Sequence, residues 1–253
     1  MELDISKIQF SKPDLQKNLK LPNKLSKDLA YICGVLVGDG HISKNYGGKC
    51  RNDIYCSGNP KDEVEYYNRI IVPLFFRLFN IKLKAKSFMN KTYGISFGSK
   101  AIHTFLTQII GLPKGKKYAY LRIPKLFLLD KELIKYFICG VFDTDAGFTL
   151  KKRYKTYNYY PVMCFTSKSK QFTNEMYKQV IQFGIHPTKV YKVKLFDKRI
   201  NKGFTIVYRF DINGHSNLIE WYKIFSFRHP KHFVKFHVWK NLNKKIMSSG
   251  RWI

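Results

Sequence analysis

The segments "YICGVLVGDG" (residues 31–40) and "YFICGVFDTDAG" (residues 136–147) are strongly apolar, and each ends on an aspartate among small residues. The aspartates are Asp39 and Asp145. Apolar runs of this length with small residues at their ends are typical of buried helices that stop at a turn. The sequence therefore presents the same feature twice, a buried helix with a carboxylate at its C-terminal end.

The flanking residues define the two helices. Ser26 is a suitable N-cap and predicts a helix from about Lys27 to Gly38. The run "ELIKYFICGVFDT" predicts a second helix that begins near Lys131.

The sequence around these helices repeats. After each helix we predict a hairpin, a longer helix, a second hairpin and a short helix. This order predicts an α+β fold of two pseudo-symmetric αββαββα halves. Three pairs of landmarks keep nearly one offset: Asp39 and Asp145 (145 − 39 = 106), Cys56 and Cys164 (164 − 56 = 108), and "FNI" at 79–81 and "FGI" at 183–185 (183 − 79 = 104).

The repeat also sets the predicted organisation of the chain. The longer helix of the first half is predicted to begin at Pro60, and "IKLKAKS" (residues 81–87) is predicted to be a strand with one basic and one apolar face. The N-terminal residues are predicted to be irregular, and no element is predicted in the basic C-terminal segment. The predicted divisions are an extension at 1–25, a first half at 26–120, a linker at 121–130 and a second half at 131–253.

Small residues recur on one face of each predicted helix. Gly34 and Gly38 are four residues apart, as are Gly140 and Thr144. Small residues at this spacing let two helix backbones approach closely. We therefore expect the two helices to pack together, with the two aspartates as neighbours.

Two adjacent carboxylates at helix C-termini repel each other and the partial negative charge of the helix ends. A divalent cation such as Mg²⁺ would offset this repulsion, and together with phosphates it would favour metal-assisted phosphodiester hydrolysis. The alternative is that Asp39 and Asp145 only end their helices in polar turns.

The net charge narrows the class of partner. The chain has 253 residues, with 46 Lys and Arg against 17 Asp and Glu, which gives +29. A folded domain this basic most often binds nucleic acid, and an anionic membrane surface is the second choice. No apolar run approaches the roughly 18 to 20 residues that span a bilayer, so we expect no membrane-spanning segment.

The cysteines indicate a reducing compartment. There are five, and no two have the C-x-x-C spacing of a zinc site. We expect no disulfides and no secretory signal, and a location in a prokaryotic cytoplasm or nucleoid or in an organelle matrix.

The segments "ICGVLVGDG" (32–40) and "ICGVFDTDA" (138–146) resemble the two motifs of single-chain LAGLIDADG homing endonucleases. The resemblance extends to the order of elements over roughly residues 26–250. It implies antiparallel saddle-shaped sheets in two halves that pack through the motif helices. It also implies a monomer that cuts double-stranded DNA with Mg²⁺, for which Mn²⁺ or Ca²⁺ can substitute in binding.

The resemblance also implies roles for individual residues. The metal-site positions would be Asp39, Asp145, Gly38 and Thr144, and the helix-interface positions would be Gly34, Gly38, Gly140 and Thr144. The catalytic positions would be Asp39, Asp145, Lys116, Lys231 and Lys168, where Ser167 is an alternative to Lys168 and His229 and His232 compete with Lys231.

Two departures from the family pattern stand out. The final motif glycine is Ala146 in the second half, which we expect to shift the helix end slightly. The first half has no lysine near Ser57 to Asn59, the position that Lys168 matches, so we expect two unequal active sites.

Basic residues on or between the predicted strands are the candidates for DNA contact. A two-stranded ribbon fits the major groove. The resemblance implies a target of about 20 base pairs, which presents about 40 phosphates to such a surface. The candidates are Lys44, Lys49, Arg51, Lys82, Lys84, Lys86, Lys151, Arg153, Lys155, Lys192, Lys194, Arg199 and Arg209.

Two other functions remain open at this point. A protein with this basic surface could bind intron RNA and assist splicing, or it could bind DNA as a regulator without cutting it. The second alternative predicts a lost acid, yet both aspartates are present.

Overall fold

The computed structural model describes residues 1–44, 52–89, 91–153, 157–196 and 203–248, and it confirms the predicted α+β class. The chain forms two compact units, Met1–Thr144 and Asp145–Ile253. Each of two four-stranded sheets is antiparallel throughout.

The first unit follows the predicted order from its second helix onward. Its strands pair in the order β1-β2-β4-β3. The elements are α1 (Lys12–Gln16), α2 (Lys27–Gly38), β1 (Gly40–Ile42), β2 (Asp53–Gly58), α3 (Val64–Tyr66), α4 (Val72–Phe79), β3 (Lys86–Ser87), β4 (Tyr93–Gly98), α5 (Lys100–Thr104), α6 (Lys125–Leu128) and α7 (Lys131–Asp145), whose last residue opens the second unit.

The second unit continues the same order after α7, and its strands pair as β5-β6-β8-β7. Among the described residues, no helix is both long and apolar enough to cross a bilayer. The elements are β5 (Ala146–Arg153), β6 (Tyr157–Ser167), α8 (Lys170–Gln182), β7 (Tyr191–Phe196), β8 (Phe204–Asn213), α9 (His215–Ile224) and α10 (Pro230–Ser248).

The motif helices α2 and α7 touch through their backbones. A Cβ atom added to Gly34 would lie 2.2 Å from the carbonyl oxygen of Phe137, and one added to Gly140 would lie 2.1 Å from that of Tyr31. Neither position has room for a side chain. This contact explains why most of α7 belongs to the first compact unit although it begins the second copy of the sequence repeat.

The strand register corrects one of the three repeat landmarks. Gly40 pairs with Cys56 in the first sheet, and its counterpart Ala146 pairs with Phe165 in the second. Phe165, and not Cys164, is therefore the structural equivalent of Cys56. Neighbouring strand residues point to opposite faces, so Cys56 is buried whereas Cys164 is half-buried on the other face of its sheet.

The "FNI" and "FGI" landmarks share a backbone feature. Asn80 follows α4 with φ of 52°, and Gly184 lies just after α8 with φ of 82°. Left-handed residues of this kind commonly end helices, and asparagine and glycine tolerate the conformation best.

The long helix of the first half differs from its predicted form. It begins at Val64 rather than Pro60, because the amides of Asp62 and Glu63 turn back to the carbonyl of Asn59. A π-helical turn at Tyr67–Ile71 precedes Pro73. Proline cannot donate the usual helical hydrogen bond, and a π-turn accommodates this loss.

The N-terminal segment is largely irregular, as predicted, but it contains the short helix α1. Ser11 and Asp14 form a capping box at α1, and the Asp14 carboxylate also accepts from the amide of Ala101 in α5 at 3.2 Å. Leu3 and Leu19 are buried. The capping box and these tertiary contacts together stabilise the short helix α1.

The C-terminal segment forms the helix α10, which the sequence analysis missed. Its first residue is Pro230, a favoured position for proline. Phe236 and Trp239 are buried one turn apart and attach the helix to its unit.

The segment "IKLKAKS" has the predicted alternation of exposure but little strand. Lys82, Lys84 and Lys86 are exposed, whereas Ile81 and Ala85 are buried. Only Lys86 and Ser87 pair with β4.

Replacement of Gly34 by alanine should destabilise the fold, because the added methyl group meets the backbone of α7. We expect a loss of about 1–3 kcal/mol or more in the free energy of unfolding, measured by urea denaturation. Gly147→Ala is the matched control, since a Cβ atom there meets nothing within 4 Å. Equal stability of the two variants would contradict the tight helix contact.

Candidate functional site

Asp39 is held at the C-terminal end of α2. Its backbone N–H donates to the carbonyl of Val35 at 3.0 Å, and its side chain is half-buried. Its negative charge affects buried residues of the first sheet. Burial is the largest cause, and the charge of Asp39 is the second, of the raised pKa of Cys56, which is about 12. The same charge contributes to the raised pKa of Tyr66 and Tyr67, for which burial is the main cause.

The last turn of α2 is bound by a lysine that the sequence analysis did not single out. The ammonium group of Lys117 donates to the carbonyl oxygens of Leu36 at 3.5 Å, of Gly40 at 2.8 Å and of Gly38. The predicted catalytic residue Lys116 is its exposed neighbour, and its role stays a prediction. The pair "KK" in the sequence does not reveal which of the two lysines turns inward.

The final glycine of the first motif has a steric reason. A Cβ atom on Gly40 would lie 2.4 Å from the carbonyl oxygen of Leu36, so a side chain does not fit there. The second motif has Ala146 at this place. The helix ends differ accordingly, because α7 includes Asp145 whereas α2 ends at Gly38.

Asp145, at the end of α7, is half-buried. The preceding Thr144, a predicted metal-site residue, turns its hydroxyl back to its own helix and donates to the carbonyls of Gly140 and Val141, each at 3.1 Å. The hydroxyl thus donates within its own helix, and the metal role of Thr144 stays a prediction.

The basic candidates of the second half lie in different environments. Lys168 is exposed just after β6, and Lys231 is half-buried in the first turn of α10. Lys235 was not predicted, yet its ammonium group donates to the carbonyl of Phe148 at 3.1 Å, three residues after Asp145.

The two competing histidines, His229 and His232, are almost fully buried. The Nδ1 atom of His229 accepts a hydrogen bond from the backbone N–H of Lys231 at 3.1 Å and so caps α10. Burial first, and then the charges of Lys231 and Lys235, lower the pKa of His229 to about 3. The ring is therefore neutral near pH 7, and its visible function is to cap the helix.

A buried carboxylate lies two residues before Asp145. Asp143 accepts a hydrogen bond from the hydroxyl of Tyr31 at 2.7 Å, and that hydroxyl lies 2.8 Å from the hydroxyl of Tyr66. Burial and the charge of Asp143 raise the pKa of both tyrosines well above its usual value. This hydrogen bond from Tyr31 to Asp143 links α2 to α7.

The end of α2 suits a hard cation. Among the described residues, no three His, Cys, Asp or Glu side chains lie together as a protein metal cage. Mg²⁺ does not need such a cage, since it binds through one or two carboxylates and keeps several waters. The carbonyl oxygens of Gly38 and Gly40, which flank Asp39 in the chain, both accept from the ammonium group of Lys117. Two carbonyl oxygens and the Asp39 carboxylate are oxygen donors of the kind that fit Mg²⁺.

The first sheet presents a mixed basic and aromatic face. His41 pairs with Tyr55, which pairs with Ser96, and Lys86 pairs with Gly94 on the same side. This side is opposite to buried Cys56. Burial first, and then the charge of Lys117, lower the pKa of His41.

The second sheet places its basic residues on two different faces. Arg209 pairs with Tyr191 and Thr166, on the side opposite to the buried residue Phe210. Lys192 and Lys194 share a face, as predicted, but it is the face of Phe210 and not that of Arg209, and the ammonium group of Lys194 lies 3.8 Å from the ring centroid of Phe204.

The face of Arg209 carries a polar network. The Nε atom of Arg209 donates to the hydroxyl of Thr166 at 3.1 Å, and the hydroxyl of Tyr191 donates to the carboxylate of Asp211 at 2.6 Å. The Sγ atom of Cys164 lies 3.3 Å from the same Thr166 hydroxyl. These contacts hold the guanidinium and carboxylate groups in fixed positions on one face.

The remaining predicted contacts lie at the edges of the sheets. Lys44 and Lys151 are exposed, and the guanidinium of Arg153 lies 4.5 Å from the ring centroid of Tyr160. Four predicted contacts lie outside the described residues: Lys49, Arg51, Lys155 and Arg199.

Comparison with known proteins identifies the fold. No family model matches the chain. The probable translation initiation factor IF-2 of Methanocaldococcus jannaschii is 30% identical over an alignment of 264 positions, which spans 98% of this chain but only 19% of that protein.

Solved structures of homing endonucleases share the architecture at low sequence identity. Mesophilic variants of I-DmoI match with a TM-score of 0.53 at 17% identity, over 79% of this chain and 96% of theirs. I-WcaI bound to its DNA recognition sequence matches with a TM-score of 0.52 at 17% identity, over 89% of this chain and 92% of its own. Other crystals hold I-DmoI with DNA and Mn, or an I-DmoI variant with its target DNA and Mg. The chain therefore has the fold of single-chain homing endonucleases.

Proposed function

We propose that the protein is a site-specific endonuclease that cuts both strands of DNA with a divalent metal. The observation that carries the proposal is the repeated helix end, in which Asp39 and Asp145 each lie five positions after a glycine of the helix contact. The fold shared with DNA-bound endonucleases and the net charge of +29 support it.

Each aspartate would hold a metal ion together with the main-chain oxygen of the residue before it, Gly38 or Thr144. When bound, Mg²⁺ or Mn²⁺ supplies a Lewis acid and a water of lowered pKa for attack on phosphorus. The chain itself orients these oxygens through the fixed helix ends and brings positive charge to the phosphates. Lys116, Lys231 and Lys168 are the proposed basic side chains of the two sites.

The sheets would bind the target through the major groove. A site of about 20 base pairs carries about 40 phosphates, which matches the length and charge of this chain. Lys86 and Arg209 lie on sheet faces that also carry aromatic and polar side chains, as base readout requires. The boundaries 26–120 and 131–253 for the two halves belong to the same proposal.

No specific feature of the described residues favours intron RNA over DNA. A regulator that binds DNA without cutting it would not need an acid at both helix ends. The activity of the much longer relative from M. jannaschii has no part in the proposal.

Selection from a randomised DNA pool tests the proposal. The purified protein is incubated with the pool in Mg²⁺ or in EDTA, and the new DNA ends are sequenced. We expect one family of long sites, cut on both strands in Mg²⁺ and intact in EDTA. Tight binding of a site that is cut in neither Mg²⁺ nor Mn²⁺ would leave the regulator as the better account, and cutting in EDTA would exclude the metal.

The two faces of the second sheet predict different roles for two cations. Arg209→Ala should cost about 1–3 kcal/mol in binding to the selected site and relax its preference at one base pair, because a fixed guanidinium reads a base edge. Lys194→Ala removes the same charge from the opposite face and should leave base preference unchanged. Binding titrations on single-base variants of the site measure both effects, and a base-specific loss in Lys194→Ala alone would contradict the assignment of faces.

A further inference from the structure

We propose that Lys117 is a built-in cation that neutralises the end of α2 while no divalent metal is bound, and that metal binding beside Asp39 releases its ammonium group from the Gly38 carbonyl. The inference rests on the proposed function. It adds to that function an exchange between a side chain and the metal at the first of the two sites.

The position of the ammonium group is the first argument. The last carbonyls of a helix lack partners within the helix and carry partial negative charge. Lys117 donates to two such oxygens, those of Leu36 and Gly38, and also to the carbonyl of Gly40 at the start of β1. An ammonium group has three N–H donors. The group therefore lies where this helix end attracts a cation most strongly.

The loop that carries Lys117 is fixed in place. The backbone N–H of Gly115 donates to the carbonyl of Ile42 at 2.8 Å, and Gly115 has φ of 70°, a conformation that favours glycine. Leu112 is buried at the start of the loop. This anchoring turns Lys117 inward and leaves the adjacent Lys116 exposed, although the two have the same charge.

Lys117 and Asp39 act on the same small region. Both charges influence Cys56, on whose pKa Asp39 has a raising effect and Lys117 a lowering effect. A divalent ion held by Asp39 and the Gly38 carbonyl would meet the ammonium group at close range. Two cations at one carbonyl repel each other strongly, and Mg²⁺ requires oxygen ligands in near-ideal geometry. The ion and the ammonium group therefore exclude each other from the Gly38 oxygen.

The second half has a different arrangement. Lys235 donates to the carbonyl of Phe148, whose counterpart in the first half is Ile42. In the first half that carbonyl takes the N–H of Gly115 instead. The proposed exchange therefore concerns the site of Asp39 and is not extended to that of Asp145.

Metal binding without DNA tests the inference. The probe is Tb³⁺, detected by luminescence excited through tyrosine and competed with Mg²⁺, and Asp39→Asn defines the signal that depends on Asp39. We expect Lys117→Met to bind the probe about tenfold more tightly than the wild type, because one close positive charge is gone. The control Lys114→Met loses an exposed charge on the same loop. Its affinity for the probe should change by no more than about twofold, because solvent and salt screen that charge.

The outcomes separate the inference from the proposed function. If the wild type shows binding that depends on Asp39 and Lys117→Met binds no more tightly than Lys114→Met, the exchange is wrong and the endonuclease proposal stands. If no variant shows binding that depends on Asp39, both the exchange and the metal role of Asp39 fall. Should Lys117→Met fail to fold, Lys117→Gln keeps two N–H donors without the charge and must show the same tightening.

Discussion

The contact between α2 and α7 at Gly34 and Gly140 is the constraint on which the rest of the structure depends. Each glycine lies against backbone atoms of the other helix, so neither can carry even a methyl group without a shift of the chain. A backbone contact of this kind fixes where along each helix the crossing occurs. Because Asp39 and Asp145 each follow their glycine by five residues, the contact also determines how far each aspartate lies from the crossing point of the helices. The same contact explains why most of α7 belongs to the first unit.

Asp39 and Asp145 place negative charge at helix C-termini, which already carry partial negative charge, so each carboxylate is destabilising there. Polar contacts near these helix ends offset part of this destabilisation. The carbonyls at the end of α2 bind the ammonium group of Lys117, and the buried carboxylate of Asp143 accepts a hydrogen bond from Tyr31. A helix C-terminus next to a carboxylate attracts positive charge whether or not a metal is bound. The same electrostatics that would recruit a divalent ion therefore also explain the lysine.

Sequence patterns predicted the elements better than their exact registers. The helix from Lys27 to Gly38, its Ser26 cap and the repeated αββαββα order followed from periodicity and capping, which are local properties. The equivalence of Cys56 and Cys164 was wrong by one position, because an apolar run does not say which of its residues faces the core.

The site was harder to predict for the same reason. Alternation showed that Lys192 and Lys194 share a face but not which face, since that depends on how β7 pairs with β8. The family resemblance implied a catalytic role for Lys116, which stays a prediction. No sequence pattern marked Lys117, which the φ angle of Gly115 and its hydrogen bond to Ile42 bring to the end of α2. Residues 1–25 are largely irregular as predicted, and the short helix α1 within them has, beside its local cap, a tertiary contact between Asp14 and Ala101 that no local pattern contains.

The most direct measurement is strand-resolved cleavage of the selected DNA site by Asp39→Asn and Asp145→Asn, with binding measured in parallel. If each aspartate serves a metal-dependent active site, either variant should bind the site within a few fold of the wild type yet lose double-strand cleavage by about a hundredfold or more, with single-strand nicks as the only residual product. Double-strand cleavage at the wild-type rate by either variant would show that its aspartate only ends a helix, and would contradict the account.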